Sequence, residues 1–405
     1  MIVVALLGLW LPIWLPRSWA GDDEDDLHEN TISGNQGPEK QDVPVDAPEV
    51  VSEGGENLAY SPLSLKAAEV LHIDVAFADR CRKAIDLIYA RKYKEAKGEL
   101  DKLTVEYPTT GIGPSGLAVI YQGLMFENFD FRYERQYRAA HTAAMVQIAA
   151  GQRAPGNEAI EFFLQAGMSG LEGIHQMRHG EFLSALSHGL DAVSAVSKCK
   201  EAAPDFVDAE LGDGMFLYWR TVIARASPLL PDGDDDREAG KLLMKRVEKE
   251  AVFMGPAATL GLTYAYIEER DLRNALARTM YGRKKFPDNV INNMTAGRVL
   301  TSMRRYDDAV HMYQEVLRTA PDNQRAHYHL GVVYGRQEKF EDAEAAFKTY
   351  IGYPEVTPDY RGQAWYRLGL LYARQERTAD AKAAYAAAVA TSQNAAAKKA
   401  LANLP

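Results

Sequence analysis

Cysteine is scarce in this chain, because its 405 residues include only Cys81 and Cys199. The two lie 118 positions apart, on different predicted helices. A disulfide tolerates only a narrow range of distances and directions between its two residues. Two interpretations stay open: one disulfide formed outside the cytoplasm, or two separate buried thiols.

Segments that alternate polar and apolar residues with β-branched side chains are missing, so the sequence predicts no β-sheet. A glycine-rich phosphate-binding loop is missing, and so is the Gly-x-Ser-x-Gly turn of serine hydrolases. The sequence therefore contains neither of these two motifs, which are common in enzymes. We therefore predict no catalytic residue and no cofactor.

Positive charge is missing ahead of the apolar run at residues 2–15, and Arg17 follows it. A run of 14 residues is too short to favour a membrane-spanning helix. Ser18-Trp19-Ala20 has the small residues of a signal-peptidase site. We predict a signal peptide over 1–20 and an exported protein, periplasmic or secreted. The alternative is a short uncleaved anchor, and membrane association is expected only through that segment or through a partner.

Net charge is missing from most of the chain, although the total is −10. Residues 21–60 contain twelve Asp or Glu and one Lys, a net charge of −11. High charge and few apolar groups predict a disordered acidic linker there. Since Arg17 adds one positive charge, residues 61–405 are neutral in sum, which does not suggest a nucleic-acid partner.

A repeat with a period of 34 residues dominates the last part of the chain. A glycine is followed twelve residues later by an alanine and four residues after that by an aromatic. The three sets are Gly297, Ala309 and Tyr313; Gly331, Ala343 and Phe347; and Gly369, Ala381 and Tyr385. A fixed period of this length indicates stacked supersecondary units. A four-residue insertion at 357–360 separates the last two units and is expected to form a surface loop.

Each unit reads as a helical hairpin. Leu330 and Tyr334 are four residues apart and share one helix face, and Ala343 and Phe347 do the same after a short polar turn. Gly331 and Ala343 have little or no side chain, so the two backbones can approach closely. Phe347 is expected to fill the layer towards the next hairpin.

This pattern resembles the tetratricopeptide repeat (TPR) family. Units start at Pro256, Val290, Gln324 and Gly362. The small residue of the family's first helix falls on Thr263, Gly297, Gly331 and Gly369, the alanine of its second helix on Ala275, Ala309, Ala343 and Ala381, and its closing proline on Pro287 and Pro321. One further unit lies near 77–110. We predict diverged helical repeats over 61–255, four repeats over 256–393 and a capping helix over 394–405.

The resemblance implies an all-α, right-handed superhelical solenoid of helix-turn-helix hairpins. It also implies a scaffold or adaptor that binds a protein or peptide without turnover, and assembly of envelope or secretion machinery is a common use of the family. The inner face of such a solenoid is formed by recurring places in the first helix of each unit. In the last three units these places hold Arg298, Arg325, Tyr328, His329, Arg336, Tyr366, Arg367 and Arg374.

These side chains suggest a binding groove. Arginine can hold a carboxylate through two hydrogen bonds, and tyrosine adds rigid contact area. The hypothesis is a groove for an extended, acidic or carboxylate-ended segment. The alternative is an ordinary solvated helix face. The acidic segment 21–60 is itself a candidate occupant.

Two histidines in the middle of the chain support a different class of function. His175 and His179 are four residues apart on a predicted helix, a spacing that can bind zinc. The metalloprotease pattern needs a glutamate directly after the first histidine, and Gln176 stands there. The alternatives to a scaffold are therefore a metal-dependent hydrolase using this region or a self-assembling structural array. Metal analysis and a mass measurement in solution would distinguish them.

Alternating acids at Asp232, Asp234 and Asp236 raise the question of calcium. An EF-hand loop starting at Asp232 would need glycine and glutamate where Arg237 and Leu243 stand. We predict no metal there, and an acidic loop in which Asp236 caps the next helix.

Overall fold

The computed structural model describes residues 60–226 and 234–404. Those ranges contain 18 α-helices, one short 3₁₀ helix and no strand, which confirms the all-α prediction. The predicted signal peptide, nearly all of the acidic linker and Asp232 lie outside the described residues. None of the described helices combines the length and the apolar character needed to cross a bilayer.

The chain divides into two compact units. Unit 1 comprises the described residues up to 120 together with 136–285, and unit 2 comprises 121–135 together with 286–404. Three of the four predicted repeats therefore belong to unit 2, and the first belongs to unit 1. Unit 2 also includes a segment, 121–135, that is distant from the repeats in sequence.

Within each of the two described ranges, the helices follow one another with short connections. Those before residue 286 are α1 (Pro62–Leu71), α2 (Val75–Tyr89), α3 (Tyr93–Glu106), α4 (Ile112–Asn128), α5 (Glu134–Gly151), α6 (Glu158–Arg178), α7 (Phe182–Ala202), α8 (Glu210–Ala226), α9 (Arg237–Glu250), α10 (Gly255–Glu268) and α11 (Leu272–Lys285). Those after it are α12 (Val290–Ser302), α13 (Tyr306–Thr319), α14 (Gln324–Arg336), α15 (Phe340–Gly352), α16 (Pro358–Arg374), α17 (Thr378–Ser392) and α18 (Ala395–Asn403).

The turn between the two helices has the same backbone conformation in each of the four predicted repeats. Arg270, Arg304, Glu338 and Glu376 have φ between 58° and 59°. The next amide donates to the carbonyl five residues back, as from Arg305 to Leu300 at 2.9 Å. This left-handed residue and its hydrogen bond form the motif that commonly ends an α-helix. The repeat is thus visible in the backbone as well as in the side chains.

The repeated glycine is in contact with the repeated aromatic. A Cβ added to Gly297, Gly331 or Gly369 would lie 2.5, 2.8 or 2.4 Å from the ring of Tyr313, Phe347 or Tyr385. Phe347 therefore packs against the glycine of its own hairpin, so the expectation that it faces the next hairpin was incomplete. The ring needs the space that a side chain at the glycine would take.

The insertion at 357–360 is helical, contrary to the surface loop expected from the sequence. It lengthens α16 to 17 residues, whereas α14 has 13. Thr357 occupies the N-cap position and Pro358 begins the helix. Proline is favoured at the first helical position because its missing N–H has no partner there.

A buried carboxylate organises part of unit 1. Asp208 lies in the 3₁₀ helix (Val207–Ala209) that precedes α8. Its oxygens accept the amide hydrogens of Val252, Phe253 and Met254 at 2.9, 2.7 and 2.8 Å. These amides precede α10, where the chain would otherwise leave donors without acceptors. Asp208 therefore fixes the entry into α10.

Cys81 and Cys199 are both free and buried, which supports the interpretation as two separate thiols. Burial raises the pKa of Cys199 to about 12 and also raises that of Cys81. Thiols held in the protonated form are weak nucleophiles.

Asp236 departs from its predicted capping role. It occupies the N-cap position of α9, but its side chain makes no cap hydrogen bond. The carboxylate instead pairs with Arg220 of α8.

Candidate functional site

The eight predicted groove residues lie on three first helices of unit 2. Arg298 is on α12. Arg325, Tyr328, His329 and Arg336 are on α14, and Tyr366, Arg367 and Arg374 are on α16. Each of these helices opens one of the predicted repeats. The side chains nevertheless differ in what they contact.

His329 marks the point where several of them meet. Its ring stacks on Tyr313 with centroids 5.3 Å apart and meets Tyr328 edge-on at 5.5 Å. The pKa of His329 lies well below its ordinary value, first because the ring is buried and then because Arg325, Arg298 and Arg367 repel a positive charge on it. The imidazole is therefore neutral at neutral pH, among three cations from three successive repeats. We call His329 and these three arginines the arginine cluster.

The arginines of this cluster differ in their other contacts. Nε of Arg367 donates to the hydroxyl of Tyr328 at 3.2 Å, which links α16 to α14. Arg298 is half-buried, and within residues 60–226 and 234–404 its side chain has no hydrogen bond or ion pair. A guanidinium has five N–H donors. Arg298 is consequently the member best placed to accept a new anionic partner.

Arg374 is fastened to the repeat before its own. Its guanidinium donates to the carbonyl of Gly335 at 2.9 Å and pairs with Glu338 at 3.1 Å. It also lies 5.5 Å from the centre of the Phe340 ring. These contacts join α16 to the turn between α14 and α15, so Arg374 has a structural role whether or not it also binds a partner. Arg336 is half-buried at the end of α14, and Tyr366 packs 5.8 Å from Tyr385.

Arg325 is engaged by a segment that the sequence did not associate with the repeats. Nη1 of Arg325 donates to the carbonyl of Phe126 at 3.2 Å, and the guanidinium carbon lies 3.5 Å from the centre of the Phe129 ring. Both partners belong to residues 121–135 of unit 2. Sequence reasoning missed them because 199 positions separate Arg325 from Phe126 and no repeat relates the two segments.

The two histidines considered for zinc lie at the end of α6. His175 is buried and His179 is exposed, with ring centroids 4.9 Å apart. The ring of His175 is also 4.5 Å from that of Tyr137. Gln176, which replaces the glutamate of the metalloprotease pattern, donates to Glu172 at 2.5 Å.

Glu172 is the charged centre of this part of unit 1. It accepts hydrogen bonds from Tyr137 and Arg138, each at 2.8 Å. Burial favours its neutral form, but hydrogen bonds from Tyr137 and Gln176 and the nearby charge of His141 and Arg138 lower its pKa overall. A carboxylate with this many donors is held in place rather than poised to take a proton.

Comparison with known proteins agrees with the repeat geometry. The tetratricopeptide repeat family model matches residues 294–357 and again 334–397. Residues 294–397, within unit 2, are therefore tetratricopeptide repeats. Repeats of this family generally serve as protein-interaction scaffolds and are typically non-enzymatic.

The chain was also compared with solved structures and with curated proteins. The chain is similar to the crystal structure of the P58(IPK) TPR domain at 13% identity, with 81% of this chain and 96% of that chain covered and a TM-score of 0.25. No curated protein matches the chain.

Proposed function

We propose that this protein is an exported scaffold that binds another protein through an acidic segment laid on the first-helix face of unit 2. The arginine cluster is the observation that carries the proposal. The three arginines lie near enough to His329 to lower its pKa. One of them, Arg367, donates to the hydroxyl of Tyr328, whose ring meets His329 edge-on. Positive charges near one buried site repel one another. A bound carboxylate would relieve that repulsion.

The chemistry of the cluster selects for carboxylates. A guanidinium and a carboxylate can form two parallel, charge-assisted hydrogen bonds, which are roughly twice as strong as neutral ones. Arg298 on α12 and Arg367 on α16 both act electrostatically on His329 of α14, so an extended segment with several acidic residues could contact successive repeats. Tyr328, which bonds to Arg367, adds an aromatic surface at the same place.

Export is the second part of the proposal and rests on the sequence. The apolar run at 2–15 and Ser18-Trp19-Ala20 support a cleaved signal peptide. The partner would then be met outside the cytoplasm, either in a periplasm or in the medium. The protein would act there as an adaptor and not as a catalyst.

Charge reversal in the cluster tests the binding surface. A fluorescein-labelled hexaglutamate peptide is titrated with the full-length protein at moderate ionic strength, about 0.15 M, and hexaglutamine serves as the neutral probe. The double variant Arg298→Glu/Arg367→Glu should weaken hexaglutamate binding at least tenfold, a loss of about 1.4 kcal/mol. Hexaglutamine should bind neither form.

A control variant separates the cluster from overall charge. Lys382→Glu/Lys399→Glu makes the same change in net charge at exposed positions of α17 and α18. It should bind hexaglutamate nearly as well as the unmodified protein, because screening limits distant charges at moderate salt. Equal loss in both variants, or no loss in either, would contradict an acidic-segment groove at Arg298 and Arg367.

A further inference from the structure

Residues 126–132 lie against the first turn of α14. The segment comprises the end of α4 and the loop that follows it, and it belongs to unit 2 with the repeats. Three consecutive side chains at the start of α14 reach it. The repeat pattern itself does not contain this contact, which engages Arg325, one of the predicted groove residues.

Each of the last four carbonyls of α4 accepts a hydrogen bond, and three of these bonds come from the start of α14. The last four carbonyls of an α-helix have no N–H donor within the helix. The Met125 carbonyl accepts from the amide of Asp130 at 3.2 Å. The next three accept from side chains: Phe126 from Arg325 Nη1 at 3.2 Å, Glu127 from Asn323 Nδ2 at 2.9 Å, and Asn128 from Gln324 Nε2 at 2.9 Å. Side chains of α14 and its N-cap thus serve three of the four carbonyls.

Aromatic and charged contacts complete the docking. Phe129 has a left-handed backbone with φ of 57° and places its ring under the Arg325 guanidinium. The same ring meets Tyr360 of α16 edge-on at 6.1 Å. Arg132 pairs with the buried Asp130 and lies 3.3 Å from Asp322, just before α14. The segment is therefore tied to the repeats on both sides of Phe129.

We infer that residues 126–132 are a built-in competitor for the partner, which an acidic segment displaces from Arg325. The inference rests on the proposed function. The segment offers Arg325 a neutral carbonyl and an aromatic face, and a carboxylate is a stronger acceptor for a guanidinium than either. Attachment within the same chain gives the segment a high effective concentration. A partner therefore needs several carboxylates, enough to engage Arg298, Arg325 and Arg367 together.

Hydrogen exchange on the unmodified full-length protein tests the displacement directly. The amides of Asp130 and Arg132 are bonded within the docked segment, to Met125 O and to Asp130 Oδ1. Saturation with hexaglutamate should speed their exchange while the amides of α12, α14 and α16 stay protected. Unchanged exchange at 130 and 132, under conditions where the peptide is bound, would overturn the inference and leave the proposed function standing.

A variant provides a second measurement. Phe129→Gly removes the ring and suits the left-handed backbone, so the turn itself should persist. Hexaglutamate should then bind several-fold more tightly, and adding Arg325→Ala should abolish that gain. Tyr306→Ala, which removes a half-buried aromatic at the start of α13, is the control and should leave the affinity unchanged.

The two hypotheses fail in different ways. Equal hexaglutamate affinity in the unmodified protein and in Phe129→Gly would refute the competitor while retaining the groove. Absence of hexaglutamate binding in every form would refute both.

Discussion

Replacing Gly331 by alanine tests the close packing inside a single hairpin. A Cβ at this position would lie 2.8, 2.9 and 2.9 Å from three ring atoms of Phe347. That ring is only 2% exposed, so it has little room to move away. Alanine normally stabilises a helix relative to glycine by about 1 kcal/mol. Overpacking a well-filled core costs about 1–3 kcal/mol, and we expect this cost to win.

Gly335 provides a matched control in the same helix, one turn further on. A Cβ there would meet only Leu371 Cδ1, at an ordinary contact distance of 3.4 Å. Gly335→Ala should therefore be neutral or stabilising by up to ~1 kcal/mol. The two variants carry the same substitution in α14 and differ only in what the new methyl group meets.

Urea unfolding followed by circular dichroism measures the difference. Gly331→Ala should unfold at a lower urea concentration than the unmodified protein, and Gly335→Ala at the same or a higher one. Phe347→Leu should reduce the cost of Gly331→Ala, since contacting residues show interaction energies in a double-mutant cycle. If Gly331→Ala proves as stable as Gly335→Ala, the glycine is not required by the ring of Phe347.

Two further predictions concern pH and export. Burial raises the pKa of Glu161, on α6, to about 7, even though the carboxylate accepts the Gly111 amide at 3.2 Å. The folded state then binds more protons than the unfolded state between the ordinary glutamate pKa and about 7, so stability should fall as pH rises through that window and stay low above it. Glu161→Gln should flatten this slope and stabilise the protein at pH 8, by at most ~3 kcal/mol; an unchanged dependence of the urea midpoint on pH would contradict the assignment. For export, N-terminal sequencing of the protein recovered from the periplasm or medium should begin at Gly21, and recovery only from the cytoplasm with Met1 retained would refute a cleaved signal peptide.

Much of the repeat could be read from the sequence because its causes are local. Residues three and four apart share a helix face, and the period of 34 places equivalent contacts in successive hairpins. Gly297, Gly331 and Gly369 each meet the aromatic found sixteen positions later. The misread insertion at the start of α16 had a local signal too, because Thr357 followed by Pro358 is typical of a helix N-terminus.

Only part of the candidate site could be predicted from the sequence. Its recurring places put Arg298, His329 and Arg367 on first helices, and the two arginines there lower the pKa of the buried His329. Spacing along the chain could not show that Arg374 pairs with Glu338, nor that His329 stacks on Tyr313. Those contacts depend on how side chains of different helices lie against one another.

The amino-acid order alone specified paired helices, their turns and the face that carries arginine, because short-range hydrogen bonds and side-chain periodicity impose these features. Only the tertiary structure decided that residues 126–132 lie against α14, where Asn323, Gln324 and Arg325 cap the end of α4. That contact joins Asn323 to a backbone carbonyl 196 positions away. Chain segments so distant meet through overall packing. Every residue has a backbone carbonyl, so the sequence does not show which side chain will donate to a given one.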